Sequence, residues 1–313
     1  MLIAIIGSFL LGWSLGANDA ANVFGTAVSA RLVRWRNAAL LTALFVILGA
    51  WLQGRVGVHT VSTLTVQTPG AAATAVFAAA LTVALLTAMK LPVSTSQAVV
   101  GSIIGVGLMK GELNTSGLAK VVLCWLGTPV GAIVLYVALY WLSRWLIHLL
   151  RPSIFTMDII QRAGLILAGC YGAYALGANN VANIAGPLVQ SGAVSVDHAV
   201  IIGAVSIATG VLTLSKPVML TVGRGIAKLD GLSALLVVLA ASATVHVYAF
   251  VGVPVSTSQA AVGAVLGIGL VRGLQVIHWR TLRNVLLGWL GTPVIAVATA
   301  ALIYFLSHLE YTP

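Results

Sequence analysis

The chain has 313 residues, of which 60% are hydrophobic and only 7% charged, with a mean hydropathy of +1.07. Soluble domains carry about 25% charged residues, so composition excludes a water-soluble enzyme or binding module and indicates a polytopic membrane protein. Sixteen Lys and Arg against six Asp and Glu leave a formal charge of +10; most of it reads as loop charge and interfacial anchoring, and the excess favours an anionic cargo.

The apolar runs are long and unbroken instead of alternating with period two, which predicts helices and not a barrel. Met1 to Leu11 lacks a basic segment and a cleavage site and reads as the start of a first membrane helix. That helix is expected to run to about Ala30, broken or unwound near Gly16-Ala-Asn-Asp-Ala-Ala-Asn22. Asp19 is one of six acidic residues in the chain and sits deep in this apolar run. A carboxylate at membrane depth costs on the order of 3 kcal/mol on insertion scales and persists only where it faces a cavity, an ion or a partner.

A cationic turn, Arg31-Leu-Val-Arg-Trp-Arg36, leads to a helix over about 37–53. A polar stretch from Thr60 to Thr68 precedes a helix over about 71–89. Next comes Pro92-Val-Ser-Thr-Ser-Gln97, followed by the apolar run Ala98 to Met109. A span needs about 20 apolar residues, so this run suits a re-entrant hairpin or half-helix whose start is lined by hydroxyls. After a loop holding Lys110 and Glu112, a long segment from Leu118 to Leu150 contains Gly127-Thr-Pro129, an expected break or kink.

The second half repeats the first. Gly16-Ala-Asn-Asp returns as Gly177-Ala-Asn-Asn, offset by 161 residues; Pro92-Val-Ser-Thr-Ser-Gln returns at Pro254, offset by 162; Trp125-Leu-Gly-Thr-Pro returns at Trp289, offset by 164. A near-constant offset over three motifs is the signature of internal duplication. The seam lies in the charged stretch from Arg144 to Arg162, giving one repeat over residues 1–150 and a second over 151–313. Inversion of one half relative to the other is the expectation for a transporter of this kind.

Together the copies supply one carboxylate (Asp19), the amides of Asn18, Asn22, Asn179, Asn180, Asn183, Gln97 and Gln259, and the hydroxyls of Ser94, Thr95, Ser96, Ser256, Thr257 and Ser258. Carboxylate, amide and hydroxyl oxygens are hard ligands suited to Na⁺, and the sequence has no Cys or His cluster for a transition metal. Hydroxyl, amide and helix-terminal N–H groups suit a tetrahedral oxyanion. The combination points to an anion bound together with a cation, and duplication of the Ser-Thr-Ser-Gln block argues for function over helix packing.

These motifs resemble those of the inorganic phosphate transporter (PiT) family, and the resemblance covers essentially the whole chain. It implies an all-α polytopic fold of two inverted repeats with broken helices and re-entrant hairpins. It further implies secondary transport of inorganic phosphate with Na⁺ or H⁺ across the cell membrane, without enzymatic activity or a resident cofactor, and a homodimer. Carried over, Asp19, Asn18, Asn22, Asn179, Asn180 and Asn183 are expected at the cation. Ser94, Thr95, Ser96 and Gln97, with Ser256, Thr257, Ser258 and Gln259 and with Asn22 and Asn183, are expected at the anion. The family usually has Asp in both Asn-Asp copies, whereas Asn180 stands in the second here, which leaves the coupling ion and its number open. Some short relatives are similar to sulfate permeases, so sulfate is the alternative cargo. An anion channel is a further reading. Nucleic acid is not expected as a partner, because the basic residues are scattered.

Among single residues, Arg55 and Lys216 occupy equivalent repeat positions and are expected to end their helices as snorkelling anchors. His246 has no repeat counterpart and is a packed residue or, with H⁺ coupling, a proton relay. Trp35, Trp125, Trp141, Trp145 and Trp279 read as interfacial anchors, and Cys124 and Cys170 as inert packing residues.

Overall fold

The computed structural model describes residues 2–65, 68–88, 93–192, 194–225, 229–273 and 279–309. Among these it forms ten helices: α1 (Leu2–Ser29), α2 (Trp35–Ser62), α3 (Pro69–Ala88), α4 (Thr95–Lys110), α5 (Thr115–Leu150), α6 (Ile154–Gln190), α7 (Val196–Gly225), α8 (Gly231–Val251), α9 (Thr257–Arg272) and α10 (Trp279–Leu309). Eight are long and apolar enough to cross a membrane; α4 and α9 are not in that group. At 16 residues each, these two reach only about 24 Å, short of the bilayer's apolar thickness.

Local chemistry sets the ends of the short helices. Ser94 and Ser256 hold extended backbone, and their hydroxyls accept from the N–H of Gln97 and Gln259, as an N-cap residue does. Gly111 after α4 and Gly252 after α8 take left-handed φ values of 70° and 76°, which glycine adopts without a Cβ penalty. Gly252 turns the chain sharply, so α8 and α9 fold back against each other as a hairpin, and α3 packs on α4 in the same way. The outer ends of the second hairpin are tied by Arg272, which donates to both Asp230 oxygens at 2.8 and 3.4 Å. The expected hairpins are therefore present. Pro92 and Met89 lie outside the described residues.

Two expectations about helix continuity are corrected. α1 and α6 run helical straight through their Asn-Asp and Asn-Asn motifs. The motifs are rich in alanine, the strongest helix former, and contain no proline. α5 likewise continues through Pro129, so of the expected break or kink it is the break that is absent. There Thr128 bonds back to the Cys124 carbonyl at 2.7 Å, and the proline carbonyl seats another helix, as follows.

The motif glycines mark places where helices touch backbone to backbone. A Cβ at Gly16 would lie 2.0 Å from the Ile207 carbonyl oxygen of α7, and a Cβ at Gly177 the same distance from the Val46 carbonyl oxygen of α2. Val46 and Ile207 are themselves 161 residues apart, so the two crossings are equivalent. The pattern recurs where Gly101 of α4 meets the Pro293 carbonyl of α10 and Gly263 of α9 meets the Pro129 carbonyl of α5. Each half thus completes the other: α1 packs on α7, α2 on α6, α4 on α10 and α5 on α9.

Directions follow from the same contacts. α2 lies beside α6 in the same sense, with Gly49 against Tyr174, Gly57 against Ala182 and Val61 against Gly186. α2 is antiparallel to its equivalent α7: Trp35 at the start of α2 donates to Ser215 late in α7 at 3.1 Å, and Arg55 late in α2 pairs with Asp197 at the start of α7 at 2.7 Å. Arg55 and Lys216 therefore sit inside their helices and do not end them, the helices continuing to Ser62 and Gly225. Lys216 lies over the Trp35 ring at 5.7 Å. The core of small and branched apolar residues lies between the halves. α5 and α10 turn Leu123, Leu126, Val130, Leu287, Leu290 and Val294 outward, as lipid exposure requires of a membrane-spanning bundle.

Candidate anion and cation site

The two motif helices meet at Asp19. Its side chain is buried, at 5% exposure, and accepts from Asn180 Nδ2 at 3.0 Å; the Thr257 hydroxyl lies beside the same carboxylate. Among the described acidic residues, Glu112, Asp158, Asp197 and Asp230 each hold a basic partner, and Asp19 alone does not. Its neighbours are amides and hydroxyls, none of which brings a positive charge to it.

From Asp19 the network runs outward along α6. Asn180 Oδ1 accepts from Asn179 at 2.8 Å and from Asn183 at 3.4 Å. Asn183 also donates to Ser96 of the first hairpin at 2.9 Å, and Ser96 donates to the Val255 carbonyl of the second at 3.1 Å. Asn179 holds the backbone of Val255 at both ends, donating to its carbonyl at 2.8 Å and accepting from its N–H at 3.1 Å. Asn22 of α1 reaches Thr257 at 3.4 Å, and the two line a small cleft with Gly172 and Ser242 that has about 20 Å³ of room.

Of the residues expected from the sequence, Asp19, Asn22, Asn179, Asn180, Asn183, Ser96 and Thr257 share this centre. Ser94 and Ser256 act first as helix caps, and Ser258 bonds Ser256 at 2.8 Å within its own hairpin. Gln97 Oε1, Gln259 Oε1, Asn183 Oδ1 and the Thr95 hydroxyl are buried without a hydrogen-bond partner. A buried unpaired polar atom costs about 1–3 kcal/mol. Asn18 is half-exposed and makes no hydrogen bond among the described residues.

Two participants were not foreseen. Val255 enters through its backbone, which carries no side-chain signature. Trp125, expected at an interface, is instead buried and donates from Nε1 to the Pro254 carbonyl at 3.3 Å, steadying the second hairpin corner; its presence in a duplicated motif was the available signal. His246, singled out from the sequence as a packed residue or proton relay, is half-buried between Gln53 Oε1 of α2 (2.7 Å) and the Tyr171 hydroxyl of α6 (2.9 Å) and stacks on Phe250.

The model of the phosphate transporter family, PHO4, matches residues 15–300. The chain belongs to that family. Similar proteins support the assignment across the whole length of this transporter. A Methanocaldococcus jannaschii protein named "Putative phosphate permease MJ0630" is 31% identical over 295 residues, covering 94% of each chain. The sulfate permease CysP of Bacillus subtilis is 28% identical over 310 residues, covering 96% of this chain and 86% of that one. A solved structure described as the sodium-dependent phosphate transporter superposes with a TM-score of 0.87 at 26% identity, covering 98% of both chains. The family is one of transporters and not of enzymes, and this member is a multi-pass membrane protein.

Proposed function

We propose that this transporter is a symporter that carries inorganic phosphate into the cell together with Na⁺ or H⁺, through two halves inverted relative to each other. The observation that carries the coupling is Asp19: a buried carboxylate without a basic partner, held by Asn180 between the two halves. Such a charge is tolerated when the cargo cation neutralises it. The hydroxyls and amides of the two Ser-Thr-Ser-Gln corners provide the adjoining anion site, at the N-termini of α4 and α9 where helix dipoles favour negative charge. The sodium dependence in the description of the structural neighbour supports Na⁺ as the ion. The antiparallel pairing of α2 with α7 supports the inversion and, with it, repeats over 1–150 and 151–313.

The deciding experiment is uptake of labelled phosphate into proteoliposomes under an inward Na⁺ gradient or an inward H⁺ gradient, with wild type and Asp19→Asn. Uptake that follows one gradient and is lost in Asp19→Asn is the expected result. Uptake that persists in Asp19→Asn removes the carboxylate from coupling, and flux independent of both gradients makes the protein a channel. Sulfate is the second reading, favoured by similarity to the Bacillus subtilis sulfate permease. Labelled sulfate in the same vesicles distinguishes the two cargoes.

A further inference from the structure

The two halves are duplicates, yet the site treats them differently. On the α6 side, Asn179 grips both backbone groups of Val255, Asn183 bonds Ser96, and Ser96 bonds the Val255 carbonyl. All four residues are buried. The equivalent positions on the α1 side are Asn18, Val93, Asn22 and Ser258. None of the equivalent bonds is made: Asn18 holds nothing among the described residues, Ser258 turns back onto Ser256, and Asn22 reaches Thr257. Asn18, Asn22 and Ser258 are half-exposed, and Asn22 opens onto the small cleft. One set is bonded and fully buried; in its mirror set Val93 is buried, while the three polar side chains are half-buried and leave the corner backbone unheld.

We propose that Asn179 and Asn18 are positioning residues that clasp the two hairpin corners in turn. In the conformation described here, Asn179 holds the second corner at Val255 and seals the α6 side. In the opposite conformation, Asn18 holds the first corner at Val93, Asn22 bonds Ser258, Ser258 bonds the Val93 carbonyl, and the α6 side opens. Inverted halves of matching sequence can exchange conformations at little net cost in energy, since each hydrogen bond released on one side is replaced by its equivalent on the other. Asn18 and Asn179 then act on the hairpin backbone. The cation is left to Asp19, Asn22, Asn180 and Asn183.

This inference rests on the transport reading, but its first test needs no transport. In a background carrying Cys124→Ala and Cys170→Ala, the pairs Asn179→Cys with Val255→Cys and Asn18→Cys with Val93→Cys are treated with a short bifunctional thiol reagent. Both pairs are expected to close, each blocking uptake until the reagent is reduced off. Closure of the first pair with none of the second, in protein of normal thermal midpoint, overturns the proposal. So does a closed second pair that still transports. The second test is Asn18→Ala, which removes no hydrogen bond in the present conformation and so should leave the thermal midpoint unchanged. Maximal uptake is expected to fall at least tenfold, with half-saturating concentrations of phosphate and cation unchanged. An unchanged maximal rate overturns the proposal. A raised half-saturating cation concentration at normal maximal rate also overturns it, in favour of a cation-ligand role for Asn18.

Discussion

Gly16 and Gly177 show how a residue that looks like part of a ligand motif can be placed by packing alone. At either, a methyl group would strike a carbonyl oxygen of the other half, and no side-chain rotation relieves a clash with backbone. Gly16→Ala and Gly177→Ala are each expected to lower stability by about 1–3 kcal/mol or more, read as a lower midpoint of thermal unfolding in detergent. Gly70→Ala, where a Cβ meets nothing within 4 Å, should leave it unchanged or slightly raised. A second residue-scale expectation concerns Asn180→Asp. Placing a second carboxylate 3.0 Å from Asp19 sets like charges together, which only a further cation or proton relieves. Uptake measured against cation concentration should become steeper and fall severalfold at low cation. At this scale the sequence was informative about which residues meet, because a carboxylate and repeated amides in apolar runs are costly unless used. It was silent on what each amide holds: Asn179 spends its hydrogen bonds on Val255 and Asn180, and a backbone partner leaves no pattern to read.

The hairpin of α8 and α9 is the element whose construction is most fully on view. Its corner is pinned by Trp125, Asn179 and Lys120, the last donating to the Val251 carbonyl at 3.2 Å, where a cation also suits the C-terminal end of a helix. Its mouth is closed by Arg272 on Asp230. Burial pushes the Asp230 carboxyl up, but the hydrogen bonds and charge of Arg272 outweigh it and hold the group below the usual carboxylate range. A depressed native value means that the stabilisation is present above the ordinary carboxylate pKa of about 3.9 and fades as pH falls through the native value. Arg272→Gln should therefore cost at most about 1 kcal/mol near neutral pH, since the pair is half-exposed. The gap between the thermal midpoints of wild type and variant should close in acid. The hairpins themselves were legible, because a 16-residue apolar helix cannot span. The continuity of α1, α5 and α6 was not, because glycine, asparagine and proline signal a break only where the surrounding turn has no other way to satisfy its backbone.

For the whole molecule, duplication was evident from three spaced motifs, whereas the interleaving of the halves was not, since helices apolar on every side carry no periodicity that names their neighbours. Because α1 rests on α7 and α2 on α6, neither half holds a complete core. Residues 1–150 and 151–313 expressed as two chains together should copurify and bind each other, and either alone should aggregate in detergent; size-exclusion chromatography reads both outcomes. The seam between Leu150 and Ile154 is the place where such a cut does least harm, because α5 and α6 end and begin there. The same interleaving has a consequence for the protein's birth at the ribosome. The Ile207 backbone that Gly16 fits is made 191 residues later, roughly ten to forty seconds at ordinary elongation rates. For that interval the nascent first half waits in the bilayer with its carboxylate and its bare helix faces uncovered. Its survival then depends on what the insertion machinery shelters until the second half arrives.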